Sequence, residues 1–165
     1  MSTGPRQINP QVEQARRAFN GLSRGRQTAL VAAAVGILVS FLPWYGVSVN
    51  EGGFSASSSI NGWHGWGIIA LLGSVVAVAL VLLPLSGRSL RGLIPTLPPT
   101  VTDARVVLGS GIVAALAAIL FMATEGTSAS APGFSEGPSI GAYIGLICAV
   151  AIAVGGYLMQ QDPAL

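Results

Sequence analysis

The sequence predicts an all-α membrane protein, a four-transmembrane-helix bundle preceded by a short amphipathic N-terminal helix, with two duplicated helical hairpins as its internal plan. Three observations predict it. Of 165 residues, 52% are hydrophobic and only 8% charged, whereas soluble domains carry about 25% charged residues. Four apolar runs reach the ~20 residues that a helix needs to cross a bilayer. All basic residues fall in segments that alternate, along the chain, with segments having none.

The runs divide the chain into a basic leader (1–26), a transmembrane domain (27–159, with spans 27–45, 64–85, 103–124 and 139–159) and a short tail (160–165). Apart from Arg105, two residues inside the start of the third span, the spans contain no Asp, Glu, Lys, Arg or His between their ends. Lipid cannot satisfy a free backbone amide, so continuous apolar runs point to helices rather than to open strands.

In the leader, Asn9 before Pro10 makes a good helix start, with Asn as N-cap and Pro at the first helical position. Val12, Ala15, Phe19 and Leu22 then share one face while Arg16 and Arg17 point elsewhere. Such a helix lies on a membrane surface and is drawn to anionic lipid; a disordered basic tail is the alternative. The first span is too long for the apolar core of a signal peptide, and no small-x-small site follows Pro43-Trp44-Tyr45, so it reads as an uncleaved anchor.

The loop before the second span alternates Val47-Ser48-Val49 and turns through Glu51-Gly52-Gly53, the pattern of a small β-hairpin. The loop before the fourth span, Glu125 to Pro138, is Gly, Ser, Ala and Pro and reads as irregular. Between the middle spans, Pro95, Pro98 and Pro99 stiffen the chain, and Thr102 or Asp103 caps the third helix.

Arginine placement orients the chain. Arg6, Arg16, Arg17, Arg24 and Arg26 precede the first span; Arg88, Arg91 and Arg105 bracket the middle loop. The other two loops hold only Glu51, Glu125 and Glu136 among acidic residues and no Arg. The leader, middle loop and tail are therefore expected in the cytoplasm and both acidic loops outside. Trp44, Tyr45, Trp63 and Trp66 cluster at the outer ends of the first two spans and read as interfacial anchors. The absence of Lys beside eight basic residues, all Arg, fits a GC-rich bacterial genome, and the localisation expected is its plasma membrane.

Helices pack in lipid through small residues that let backbones approach. Gly141, Gly145, Ala149 and Ala153 form such a stripe on the fourth span, and Gly36 lies in a similar one on the first. The halves also resemble each other: Gly36-Ile37-Leu38-Val39 matches Gly111-Ile112-Val113-Ala114, and Glu51-Gly52 matches Glu125-Gly126. This is the basis for the duplicated hairpins.

Chemistry is sparse. One Cys and one His provide no ordinary zinc or iron–sulfur site. No phosphate-binding Gly loop or nucleophile elbow occurs, and no charged residue sits midway along a span to couple transport to an ion. His64, with Glu51, Glu125 or Glu136, is the one candidate acid/base pair. A net charge of +2 does not suggest nucleic-acid binding. The expectation is a protein without enzymatic activity, cofactor or metal, whose partners are the bilayer, anionic lipid at the leader, and other membrane proteins or itself. It would act as an accessory or scaffold subunit; the alternative is a small homo-oligomeric transporter or channel.

Phe41-Leu42-Pro43-Trp44-Tyr45, Gly62-Trp63, Gly141-Ala142-Tyr143-Ile144-Gly145-Leu146 and Gly155-Gly156-Tyr157-Leu158-Met159 resemble segments of small four-span inner-membrane proteins of actinobacterial type. The resemblance covers roughly Ala29 to Gln160. It implies an architecture and no activity.

Overall fold

The computed structural model describes residues 10–124 and 130–162. The expected Asn9 cap, Arg6, Glu125 and the end of the tail lie outside the described residues.

Helix α1 (Pro10–Asn20) opens the described chain. Its end is held by Gln27, whose Nε2 donates to the carbonyls of Phe19 and Leu22 at 3.0 and 3.1 Å. Phe19 and Leu22 turn into the core while Val12 stays exposed. Ser23 then caps α2 (Arg24–Val39), its hydroxyl accepting from the Arg26 amide.

Helix α2 differs from the expected first span. It starts three residues earlier than 27 and ends at Val39, so Phe41 to Tyr45 are not helical. Proline disfavours a helical conformation in the residue before it, and Pro43 arrives just after Ser40 has turned its hydroxyl onto the Ile37 carbonyl at 2.6 Å. The apolar run continues, but as a strand.

Three helices are long and apolar enough to cross a membrane: α3 (Gly67–Leu82) with its 3-10 extension to Ser86, α5 (Asp103–Thr124) and α6 (Ile140–Gln161). Between α3 and α5 lies a single turn, α4 (Leu90–Leu93). Thr102 caps α5, accepting from the Arg105 amide. The long helices and α2 form a ring in which α2 touches α3 and α6, and α5 touches α3 and α6.

The ring is small inside and large outside. Its core is mostly Ala and Gly, in two clusters: one at the arginine end around Ala29, Ala33, Ala77, Val107 and Ile152, the other around Trp44, Ala114, Ala118 and Phe121. Close backbone approach explains the glycines. A Cβ at Gly155 would strike Ala29 of α2, and one at Gly156 would strike Leu108 of α5. The large aliphatics point away from the ring, with Leu38 68% and Ile147 66% exposed, and Leu72, Ile112 and Leu116 likewise exposed.

At the opposite end from the arginines, a four-stranded antiparallel sheet in the order β2-β1-β4-β3 joins the two loops. Strands β1 (Pro43–Glu51) and β2 (Phe54–Asn61) form the expected hairpin, turned at Gly52 and Gly53, which have φ of 58° and 85°. Two consecutive positive φ values match the strand twist and strongly favour Gly. The second loop, expected to be irregular, instead forms β3 (Ser130–Ala131) and β4 (Phe134–Pro138). Pro132 and Gly133, with φ of 81° at the glycine, give a tight turn, and the whole length of β4 pairs with β1. The fold is therefore mostly helical with a small sheet, rather than all-α. Each half runs helix, hairpin, helix, but the sheet does not repeat that symmetry, since β1 of the first hairpin pairs with β4, the second strand of the other.

Candidate binding surface on the four-stranded sheet

The sheet is locked to the helices through Trp44. The register slips between Pro43 and Tyr45, leaving Trp44 as an extra residue in β1. A bulge of this kind re-aims a side chain, and here it drives the indole into the ring. Trp44 is 2% exposed. Its Nε1 donates to the Val39 carbonyl at 3.0 Å, and its ring meets Phe121 edge-on at 5.4 Å between centroids. Gly62, Gly141 and Gly145 supply the space: a Cβ on Gly145 would lie 2.6 Å from the Trp44 ring. Trp44 is thus a core residue, which corrects its reading as an interfacial anchor. An exposed anchor needs only one amphipathic face; this indole is enclosed on all sides.

The other aromatic residues are distributed differently. Trp63 and Trp66 are exposed on the turn before α3, Trp63 tilted against Phe41 at 5.2 Å. Tyr45 is half-buried on β1 beside the Trp44 cluster. Burial, then the hydrogen bond and charge of the neighbouring Glu136 carboxylate, push the Tyr45 hydroxyl above its ordinary pKa. It therefore stays protonated and donates to that carboxylate.

Register sorts the strands into two unlike faces. Ser48 opposes Ser57 on one side and Ser135 on the other; Gly46 opposes Ser59 and Gly137; Asn50 opposes Ser55. This face is uncharged and made of serine, glycine and Asn50, with Ser48 and Ser135 bonded to each other at 3.0 Å. The reverse face carries Tyr45, Val47, Val49, Phe134 and Glu136. The serines of this face, together with Val47, Glu136 and Pro138 of the same strands and Tyr143 of α6, line an open groove of about 590 Å³. Beside it, β2 is an outer strand, exposed from Phe54 to Ser59, with no charge and no proline.

The packing stripe points inward in part. Gly141 and Gly145 face Pro43 and Trp44, Ala149 is buried, and the backbone of Ala153 meets Gly111 of α5. Gly36 faces Ser74 of α3 and Cys148 of α6. A pore through the ring would turn the hydroxyls of Thr28, Ser40, Ser74 and Ser110 toward it; the three serines instead donate to their own helices, Ser40 to Ile37, Ser74 to Ala70 and Ser110 to Val107. His64 is exposed on the turn before α3, and among the described residues no hydrogen bond or ion pair joins it to Glu51 or Glu136. Among the described residues no group of His, Cys, Asp and Glu is placed to hold a metal ion.

Sequence reasoning missed the serine face and the groove tyrosine. The signal was present in β2, where Ser55, Ser57 and Ser59 recur at every second position; the partners on β1 and β4 lie too far along the chain to be paired by pattern. No protein-family model, curated protein or solved structure matches this chain.

Proposed function

We propose that this chain is a four-span protein of a bacterial plasma membrane, with both termini in the cytoplasm, acting as a non-enzymatic accessory or scaffold subunit that meets partner membrane proteins through its outer sheet. The observation that carries the membrane part is the inverted packing of the ring. Water-soluble proteins rarely expose contiguous apolar patches above a few hundred Å², whereas here small residues fill the core and Leu, Ile and Val cover the outside. Helix α2 shares this pattern, with Val31, Val35 and Leu38 exposed. At about 24 Å it is shorter than the ~30 Å hydrocarbon core; local bilayer thinning and the upward reach of Arg24 and Arg26 accommodate such a mismatch. The arginine distribution supports the orientation, and α1 then lies at the cytoplasmic leaflet with its basic residues toward anionic lipid.

The scaffold part rests on strand β2. Natural proteins protect open sheet edges with charge, proline or a covering element, and β2 has neither charge nor proline along its exposed length. An extended segment of a partner can add to that edge, with backbone hydrogen bonds supplying affinity. The serine hydroxyls bonded back onto their own helices favour this over a transport pathway through the ring.

Two measurements test these statements separately. In a Cys148→Ser background, cysteines introduced at Ser57 or Ser135 are expected to react with an impermeant thiol reagent in intact cells, and one at Ser89 only after lysis; the reverse pattern refutes the orientation. A photocrosslinking residue at Ser57 is expected to give discrete protein adducts, while one at Ile112 gives lipid adducts. Absence of protein adducts from Ser57 in native membranes would remove the scaffold reading and leave the topology standing.

A further inference from the structure

The arginine end of the ring holds a second cavity, of about 560 Å³, lined among others by Ser23, Arg26, Arg91, Thr102, Asp103 and Asp162. Its walls are unusually ionic for so apolar a chain. Arg91 donates to the Pro99 carbonyl at 2.9 Å, which leaves the rest of its guanidinium fork free. Neither Arg26 nor Arg91 forms an ion pair, since the ion pair found among the described residues joins Arg17 to Glu13. Ser23 and Thr102 are the N-caps of α2 and α5, so two helix N-termini, each with its partial positive charge, open toward the same space.

Asp162 supplies the independent observation. It ends α6 as the C-cap, where the helix dipole disfavours a negative charge. Its Oδ2 is buried with no hydrogen-bond partner. An unsatisfied buried carboxylate oxygen is costly, and Asp162 is one of the residues that line the cavity. The cavity therefore offers cationic donors, Arg26 and Arg91, and two carboxylates, Asp103 in the first turn of α5 and Asp162, whose Oδ2 lacks a donor.

We infer that this cavity binds a phosphoethanolamine group, the phosphate held by Arg26, Arg91 and the N-terminus of α2, and the primary ammonium donating to Asp162. The inference rests on the membrane reading above, which sets the cavity at the level of the cytoplasmic headgroups, where basic pockets between helices bind lipid. Two sources carry this group, a phosphatidylethanolamine headgroup and a soluble glycerophosphoethanolamine. The cavity sits at the helix ends, which the membrane reading sets at the level of the headgroups, so the lipid is the source assigned.

The test uses the full chain reconstituted in phosphatidylcholine vesicles, with phosphatidylethanolamine or phosphatidylglycerol added, and reads lipid retained on the protein after mild solubilisation. Phosphatidylcholine shares the phosphate but its quaternary ammonium has no N–H; phosphatidylglycerol shares the phosphate and has no cation. Phosphatidylethanolamine is expected to be retained in preference to both. Arg26→Gln should weaken retention about tenfold, the loss of one hydrogen bond to a charged group, and Arg26→Lys should restore part of it. Asp162→Asn should abolish the preference for ethanolamine while leaving phosphate-dependent retention. Equal retention of the three lipids, or a preference that survives Asp162→Asn, overturns the proposal. Competition by soluble glycerophosphoethanolamine at equal concentration would overturn the lipid assignment. A chain that fails to float with the vesicles refutes the membrane reading and the lipid site with it; one that floats without retaining ethanolamine lipid refutes the site alone.

Discussion

Trp44→Ala is expected to destabilise the protein by about 3–5 kcal/mol, the range for removing a large aromatic from a packed core. The indole is a fully buried large side chain that links the sheet to the ring, and it fills the space that Gly62, Gly141 and Gly145 leave open. Its removal also forfeits the edge-on contact with Phe121, worth about 0.5–1.5 kcal/mol beyond area. Trp44→Phe should cost much less. It keeps an aromatic body in the site, and the Val39 carbonyl still accepts from the Leu42 amide at 3.0 Å, so no buried acceptor is orphaned. The measurement is the midpoint of thermal unfolding in detergent, with Trp63→Ala as the control. Trp63 is exposed, and exposed substitutions fall within about 0.5 kcal/mol in either direction. Equal small shifts for Trp44→Ala and Trp63→Ala would return Trp44 to the class of surface anchors.

The difference between Trp44 and its neighbours shows where the sequence was legible and where it was not. Helix α5 begins at Asp103 and ends at Thr124, as its apolar run predicts, and of the two expected caps, Thr102 and Asp103, it is Thr102 that accepts from the Arg105 amide; every signal that defines this helix is local. Helix α6 lies within two residues of its expected bounds for the same reason. The end of α2 was not legible. Phe41-Leu42-Pro43-Trp44-Tyr45 is apolar whether it continues a helix or begins a strand, and hydropathy does not separate the two. What decides is Pro43 together with pairing to β2 and β4, and the β4 partner lies about ninety residues away. Strand β4 itself, Phe-Ser-Glu-Gly-Pro, has no alternation to recognise; it becomes a strand because β1 offers an edge. The first hairpin was readable from its two glycines, and the serine face only half so, from the period of Ser55, Ser57 and Ser59 on a single strand. The Asp162 cavity was not readable at all, since its charges come from the ends of separate helices.

Gly145→Leu should be as severe as the loss of Trp44, and by the opposite route. A Cβ at position 145 would sit 2.6 and 2.8 Å from Cζ2 and Cη2 of Trp44, and the indole has no free direction in which to retreat, since Gly62 and Gly141 press on the same ring. Overpacking a tight core costs about 1–3 kcal/mol and more where nothing gives. A full leucine side chain here is expected to force α6 away from β1, lowering thermal stability in detergent far more than Leu146→Ala, which trims a half-buried side chain at the margin of the same cluster. The two severe changes are complementary in volume, which yields a sharper test than either alone. Combined, Trp44→Ala and Gly145→Leu place a leucine where the indole had been, so the double variant should be more stable than the sum of the single losses by about 0.5–3 kcal/mol, the range of coupling between residues in contact. Strict additivity in the double variant would mean that the 145 position does not meet Trp44, and that the small-residue stripe of α6 faces lipid at that level instead of the bulged strand.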